Sequence, residues 1–176
     1  PGQSVVYYRN LQSNNVDSVK VGKDGTFTLQ GDAQQQPFLQ LSEQRDLNNS
    51  LVAVLDGTVT VDLPTSTVSG TTENALLNNT QSVVAKKVPG IIALVSQLKQ
   101  YQAEGKGSTP EFKALADQYK QAVTEVGALV KNSLKEHPEA VSNAPLFYLY
   151  GSLLDEEEIQ ALIASKAACF STPLLQ

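Results

Sequence analysis

The sequence holds one cysteine, Cys169, and one histidine, His137. A single cysteine cannot form an internal disulfide, a Cys-x-x-Cys redox pair or a thiolate zinc site. A single histidine excludes multi-histidine metal sites such as His-Glu-x-x-His. The sequence also contains no Gly-x-Ser-x-Gly motif and no glycine-rich phosphate loop. We therefore predict no catalytic residue, no metal site and no cofactor for this chain.

Cys169 and His137 both have simpler structural interpretations. A reactive thiol needs a nearby cation, a helix N-terminus or a base. Lys166 is three residues away, but Cys169 falls at the C-terminal end of a predicted helix, where the helix dipole disfavours a thiolate. We interpret Cys169 as a buried structural thiol. His137 precedes a proline and is predicted to be the C-cap of a helix.

The acidic residues are likewise explained by local structure. Asp56 and Asp62 flank a predicted strand, and a glycosidase would need two carboxylates about 5–10 Å apart. Asp56 fits an Asp-Gly turn, and Asp62 falls on the polar face of the strand. Residues 155–158 are all acidic but lack the spacing of a calcium loop. They are typical of the first turn of a helix, with Asp155 as N-cap.

Three aromatic residues are the one candidate binding surface. Phe147, Tyr148 and Tyr150 lie close together in a short predicted helix. One short helix cannot bury all three on a single face, so we predict that some of them contact a neighbouring domain.

The composition of the chain argues against some classes of function. The chain has 176 residues, a net charge of −5 and 41% hydrophobic residues, as expected for a folded globular protein. An acidic balance argues against nucleic acid as a partner. No run of about 18 apolar residues exists, so no transmembrane segment is predicted. Residues 1–4 carry neither an initiator Met nor the apolar core of a signal peptide, so we expect a processed or shortened product.

Residues 1–70 are predicted to form short antiparallel strands. Period-two alternation, β-branched residues and turn signals at spacings of roughly ten residues favour an antiparallel β-sandwich or a small barrel. The predicted strands are residues 5–8, 16–21, 26–29, 38–41, 51–55 and 58–63. Asp24-Gly25 predicts a hairpin between the second and third strands, and residues 31–36 a polar loop. The strand at 51–55 is almost wholly apolar, as in a strand covered on both faces.

Residues 71–176 are predicted to be helical. Apolar residues recur at steps of three and four on either side of a polar turn at residues 104–107, which predicts a helical hairpin over about residues 82–137. Pro89-Gly90 predicts a kink or a break in its first helix. Ser108 is the expected N-cap of its second helix, with Glu111 completing a capping box.

Two shorter helices are predicted over about residues 143–154 and 155–169. The predicted fold class is thus α+β: a β-sandwich or small barrel domain at 1–70, then a helical hairpin or bundle domain at 71–176.

Residues 16–31, VDSVKVGKDGTFTLQG, resemble a known family signature, D-S-x-x-V-x-x-D-G-x-F-x-F-x-G. It marks a domain of unknown function at the N-terminus of Bacteroidetes thiol-disulfide oxidoreductases of the AhpC/TSA, thioredoxin-like class. Residues 134–140 and 153–159 resemble two less specific helical motifs of the same family. The resemblance extends over about residues 5–175.

This resemblance implies a β-sandwich and a helical segment, exported and often lipid-anchored, followed by a thioredoxin fold that carries Cys-x-x-Cys. The present sequence has no such motif, so no catalytic cysteine is assigned to it. The resemblance implies a non-catalytic N-terminal region, in the periplasm or cell envelope, that positions the missing thioredoxin-like domain or mediates homodimer or partner contacts. The alternative is a self-standing cell-envelope module that binds a glycan or a peptide on its sandwich face.

Overall fold

A computed structural model describes residues 4–13, 15–31, 38–47 and 50–176 of the chain. Across these ranges, antiparallel strands fill the N-terminal part and four α-helices follow. The strands are β1 (Val5–Asn10), β2 (Asp17–Lys20), β3 (Phe38–Ser42), β4 (Leu51–Val54), β5 (Thr60–Asp62) and β6 (Thr67–Ser69). The helices are α1 (Thr72–Ala103), α2 (Pro110–Glu136), α3 (Asn143–Tyr150) and α4 (Glu156–Ala164). The first three residues, and residues 32–36 of the predicted polar loop, lie outside the described residues.

The strands form two separate antiparallel sheets. Four strands pair in the order β2-β1-β3-β4, and β5 pairs with β6. Since β2 and β4 do not pair with each other, the four-stranded sheet is not closed, and the small-barrel alternative is wrong for the described residues. Antiparallel strands followed by helices are confirmed, whereas the sandwich and the division into two domains stay predictions.

The core is centred on β3 and β4, whose residues are buried along both strands. The register pairs Leu39 with Ala53 and Leu41 with Leu51, so these four side chains share one face of the sheet. The opposite face carries Phe38 and Val54 among others. The prediction of a strand covered on both faces is therefore confirmed for β4.

The predicted third strand, residues 26–29, is not a strand in the structure. The turn at Asp24-Gly25 does form: the N–H of Gly22 donates to the Thr26 carbonyl at 2.7 Å, and Gly25 has a φ of 80°. The Asp24 carboxylate accepts from both the N–H and the hydroxyl of Thr26. Beyond this turn the chain does not pair with β2. Phe27 and Leu29 instead pack against the core, so their alternation reflects buried side chains and not a sheet partner.

The sixth strand in the structure, β6, is absent from the sequence prediction. It pairs with β5, the central part of the predicted strand at 58–63. A turn between them is closed by the Asp62 carboxylate, which accepts from the Thr65 N–H at 3.0 Å. Three residues are too few to show a period-two pattern, which explains why this strand was missed.

All four predicted helices are present, with four corrections. First, α1 begins at Thr72, ten residues earlier than expected, because its first turns present polar side chains to the sheets. Second, α1 is not broken at Pro89, which lies inside a continuous helix. A proline removes one main-chain hydrogen bond, and the bonds on either side hold the helix together.

The third correction concerns the start of α2 and the fourth the end of α4. Thr109, not Ser108, is the N-cap of α2, and its hydroxyl accepts from the Phe112 N–H at 3.2 Å. Pro110 then takes the first helical position, where no N–H is needed. Helix α4 ends at Ala164, and Lys166 follows with a φ of 55°, so Cys169 lies beyond the helix in a short 3₁₀ turn, Ala168–Ser171.

Helix α1 lies against the strands through three amide side chains on one of its faces, Asn74, Asn78 and Gln81. Asn74 and Gln81 are buried and bond to both the N–H and the carbonyl of Val54 and Val52, respectively. Asn78 accepts from the Val68 N–H of β6 at 3.0 Å. Both β4 and β6 thus find hydrogen-bond partners on α1, which buries the edge of the larger sheet.

Candidate functional site

Cys169 is fully buried, and burial raises the pKa of its thiol to about 11. At neutral pH the sulfur is therefore protonated and shielded from solvent. Lys166 is exposed and lies between the end of α4 and the 3₁₀ turn that buries Cys169. The geometry agrees with the structural interpretation of this cysteine.

His137 is the C-cap of α2, as predicted, and its N–H donates to the Ser133 carbonyl at 3.0 Å. Its Nδ1 atom lies 3.6 Å from the Glu139 carboxylate, on the surface. The sequence signal for a helix end was sufficient to place this residue.

Asp155 has its predicted role, and the carboxylates of Asp56 and Asp62 have hydrogen-bond partners that the sequence did not predict. The Asp56 carboxylate accepts from the Asn74 amide at 3.2 Å, and that of Asp62 closes the β5–β6 turn. Asp155 is the N-cap of α4 and forms a reciprocal capping box with Glu158. Over the described ranges, no three His, Cys, Asp or Glu side chains group together to hold a metal ion.

The three aromatic residues of α3 point in different directions. Phe147 packs edge-to-face on Phe170, with ring centroids 5.0 Å apart and an interplanar angle of 83°. Tyr150 packs against the core, and burial raises the pKa of its hydroxyl. Only Tyr148 is clearly exposed, with 49% of its surface accessible. Of the predicted interface residues, Tyr148 is the one available to a partner.

Tyr148 borders a shallow recess of about 390 Å³, called here the α3 recess. Its lining is mostly apolar and comprises Phe147, Tyr148, Gly151, Ser152, Ile159, Leu174, Leu175 and Gln176. A partly exposed tyrosine beside apolar side chains is the composition that protein interfaces favour.

A larger cavity, of about 950 Å³, lies over the sheet face that carries Leu39, Leu41 and Ala53. We call it the β-face groove. Its two walls are residues 25–31 and residues 57–61, and Leu55 completes its floor. Every described residue that lines it is uncharged, and threonines alternate with apolar residues along both walls. Its volume is in the range of ligand-binding pockets.

Both walls of the β-face groove carry main-chain groups without a described partner. Within the described residues, no hydrogen bond joins residues 27–30 to another segment. On the opposite wall, the Val68 N–H points to Asn78, away from β5. Val61 is opposite Val68 in the antiparallel pair, so its own N–H and carbonyl also point away from β6. Val61 therefore presents its N–H and carbonyl along the outer edge of β5, and Val61 itself lines the groove.

The sequence prediction identified neither the β-face groove nor the amide face of α1. Two alternating Thr-rich segments, at residues 26–29 and 58–61, were the available signal for the groove walls. Both were assigned to paired strands, and the pattern cannot tell a paired strand from an extended segment that borders a cavity. Asn74, Asn78 and Gln81 are spaced by four and three residues, which places them on one face of a helix. A pattern of apolar residues does not reveal such a polar face.

Comparison with known proteins agrees with part of the resemblance. Residues 1–77 match the model of a family described as a domain of unknown function, DUF4369. The matched range includes β1 to β6 and ends inside α1, so the two helical motifs lie beyond it. A search of curated proteins and a search of solved structures each found no significant match. In the described part of the chain, no helix has both the length and the apolar character needed to cross a membrane.

Proposed function

We propose that this chain is the non-catalytic N-terminal region of an exported thioredoxin-like thiol-disulfide oxidoreductase of the periplasm or cell envelope. Its role is to position the catalytic domain or to hold a partner, including a second copy of itself. Support comes from the signature at residues 16–31, which lies within the matched domain of unknown function. The buried, protonated state of Cys169 is consistent with a chain that leaves the redox step to another domain.

The observation that carries the proposal is Tyr148 at the edge of the α3 recess. A tyrosine that is half exposed offers a large rigid contact area with one polar group, at a low cost in conformational entropy. The surrounding apolar residues, among them Leu174 and Leu175, supply the surface that would exclude water around it. This is the surface on which we place the thioredoxin-like domain.

The reading frame gives the first test. A Cys-x-x-Cys motif within a thioredoxin-like sequence downstream of Gln176 supports the proposal, and a stop codon soon after Gln176 contradicts it. That second result would favour the alternative, a self-standing binding module, for which the β-face groove is the relevant feature.

The second test is biochemical and uses the chain together with the downstream domain. We expect Tyr148→Ala to weaken the contact between the two parts, seen as a loss of amide chemical-shift differences around α3 between the joined and the separate forms. Tyr101→Ala, at the far end of α1, is the matched control and should change nothing there. Equal effects of the two variants would contradict the placement. Reduction of insulin disulfides by the chain alone would contradict its non-catalytic role.

A further inference from the structure

We propose that the β-face groove binds an extended, uncharged peptide segment by strand addition. In this mode an extended peptide pairs with an exposed strand edge through main-chain hydrogen bonds, and pockets take its alternate side chains. The inference does not depend on the proposed function, since it concerns a different face of the molecule.

Main-chain geometry is the first argument. A ligand recognised by strand addition needs an edge whose N–H and carbonyl groups point towards it. Val61 presents both groups along the outer edge of β5. On the other wall, the main chain of residues 27–30 has no hydrogen bond to any other described segment. An extended peptide is the one ligand class whose repeating N–H and carbonyl groups match such an edge along its whole length.

Side-chain chemistry is the second argument. Along both walls of the groove, half-buried apolar side chains alternate with threonines, and the floor residues Leu39, Leu41 and Ala53 are almost fully buried. Two residues is also the repeat at which an extended peptide places side chains on one face. The walls therefore suit a peptide with an apolar residue at every second position.

The uncharged lining of the groove determines which extended peptides can bind. The chain has a net charge of −5, yet none of the described residues that line the groove is charged. A charged side chain placed there would lose its hydration without gaining a partner. The occupant is thus an uncharged segment, and at about 3.3 Å per residue a wall of this length would contact about six residues.

The test is a titration of the whole chain with an acetylated and amidated hexapeptide in which valine and threonine alternate. We expect amide chemical-shift changes at residues 27–30 and at Val59 and Val61, with none around α3. Affinity should change less than twofold between 50 and 500 mM salt, because no charges are involved.

Two changes separate strand addition from contact through side chains alone. The same hexapeptide with alternate amide nitrogens methylated keeps its side chains and loses hydrogen-bond donors, so we expect its affinity to fall at least tenfold. In the protein, Val61→Pro removes the N–H of the outer edge without removing a bond between β5 and β6. We expect this substitution to lower the affinity for the unmodified peptide at least fivefold. Val61→Ala keeps that N–H and serves as the control.

Three outcomes would overturn the inference. Equal binding of the methylated and unmethylated peptides would rule out strand addition, and this holds whether or not the Val61→Pro variant folds. Shifts at the groove with cellohexaose but not with the peptide would assign the groove to a glycan. No shift with either probe would mean that the groove is not a binding site.

Discussion

Asn74 of α1 and Val54 of β4 are joined by two reciprocal hydrogen bonds. The Asn74 Nδ2 donates to the Val54 carbonyl at 2.8 Å, and its Oδ1 accepts from the Val54 N–H at 2.8 Å. Two helical turns later, Gln81 repeats the arrangement on Val52 at 2.9 and 2.8 Å. The amides therefore satisfy the edge of β4 as a neighbouring strand would, and they close an edge that could otherwise pair with a second molecule.

Replacing Asn74 with alanine should destabilise the fold strongly. The Val54 N–H would remain buried without a partner, whereas the Val54 carbonyl would keep the bond from the Asp56 N–H at 3.1 Å. A buried group left unpaired costs about 1–3 kcal/mol. We expect a decrease of about 2–4 kcal/mol in the free energy of unfolding, measured by urea denaturation followed by circular dichroism.

Asn78→Ala is the matched control for this prediction. It removes a single bond, to the Val68 N–H, at a less buried position on the same helix face. We expect a loss of about 1 kcal/mol. If both variants lowered the free energy of unfolding equally, the reciprocal pair of hydrogen bonds would contribute no more to stability than the single bond of Asn78.

Two glycines should respond to alanine in opposite directions. Gly70 has a φ of 110°, and a Cβ there would lie 2.4 Å from the Thr58 carbonyl oxygen. Gly70→Ala is therefore expected to cost about 1–3 kcal/mol or more through strain and displacement of the groove wall. A Cβ on Gly90, inside α1, meets nothing within 4 Å.

Gly90→Ala should consequently raise the melting temperature, because alanine favours a helix over glycine by about 1 kcal/mol. The melting temperatures of Gly70→Ala and Gly90→Ala, compared with that of the parent chain, test both expectations. A Gly70→Ala variant as stable as the parent would contradict the close approach between residues 58 and 70.

Two helix caps were predictable from the sequence, because each depends on a few adjacent residues. Asp155 and His137 cap α4 and α2 as expected. The β-face groove and the amide face of α1 depend on residues distant in sequence, such as Val54 and Asn74. Alternation at residues 26–29 places Phe27 and Leu29 on one face of the segment, and both pack against the core, but it carries no information on which strand edge, if any, the segment pairs with.

The family model matches the strands and the first residues of α1, and it does not extend to the two helical motifs. The match to a domain of unknown function includes residues 16–31, on which the resemblance mainly rests. The proposed interface at Tyr148 lies in the helical part, and it stays a prediction for the experiments above.

The ion pair between Lys131 of α2 and Glu158 of α4 should make stability depend on pH. A hydrogen bond from Lys131 lowers the pKa of Glu158 below its ordinary 4.5. A lowered pKa means that the pair stabilises the fold above pH 4.5 and that this contribution is lost as the pH falls through the lowered value. Glu158→Gln should lower the melting temperature at pH 7 but have little effect at about pH 3.

Glutamine at position 158 can still accept the hydrogen bond of the capping box, so the variant isolates the charge. Glu125→Gln breaks the more exposed pair with Lys87 and should have a smaller effect at pH 7. An effect of Glu158→Gln that is the same at both pH values would contradict the role of the ion pair.

Cys169 should make the protein less stable at alkaline pH. Burial raises the pKa of its thiol from 9.0 to about 11. The protonated thiol is favoured in the folded state, so its contribution is complete below pH 9 and is lost as the pH rises through 11. Two pKa units correspond to at most about 2.7 kcal/mol. Urea denaturation at pH 7, 9 and 11 should show a steeper loss of stability for the parent chain than for Cys169→Ala.

The same burial should protect the Cys169 thiol from modification. Below pH 9 the thiolate fraction is about a hundredfold smaller than for an unperturbed thiol, and the sulfur has no exposed surface. We expect an aromatic disulfide reagent to label the native protein at least a hundredfold more slowly than the protein in 6 M urea. Rapid labelling of the native chain at pH 7.5 would identify an accessible thiol, and it would reopen a redox role for Cys169.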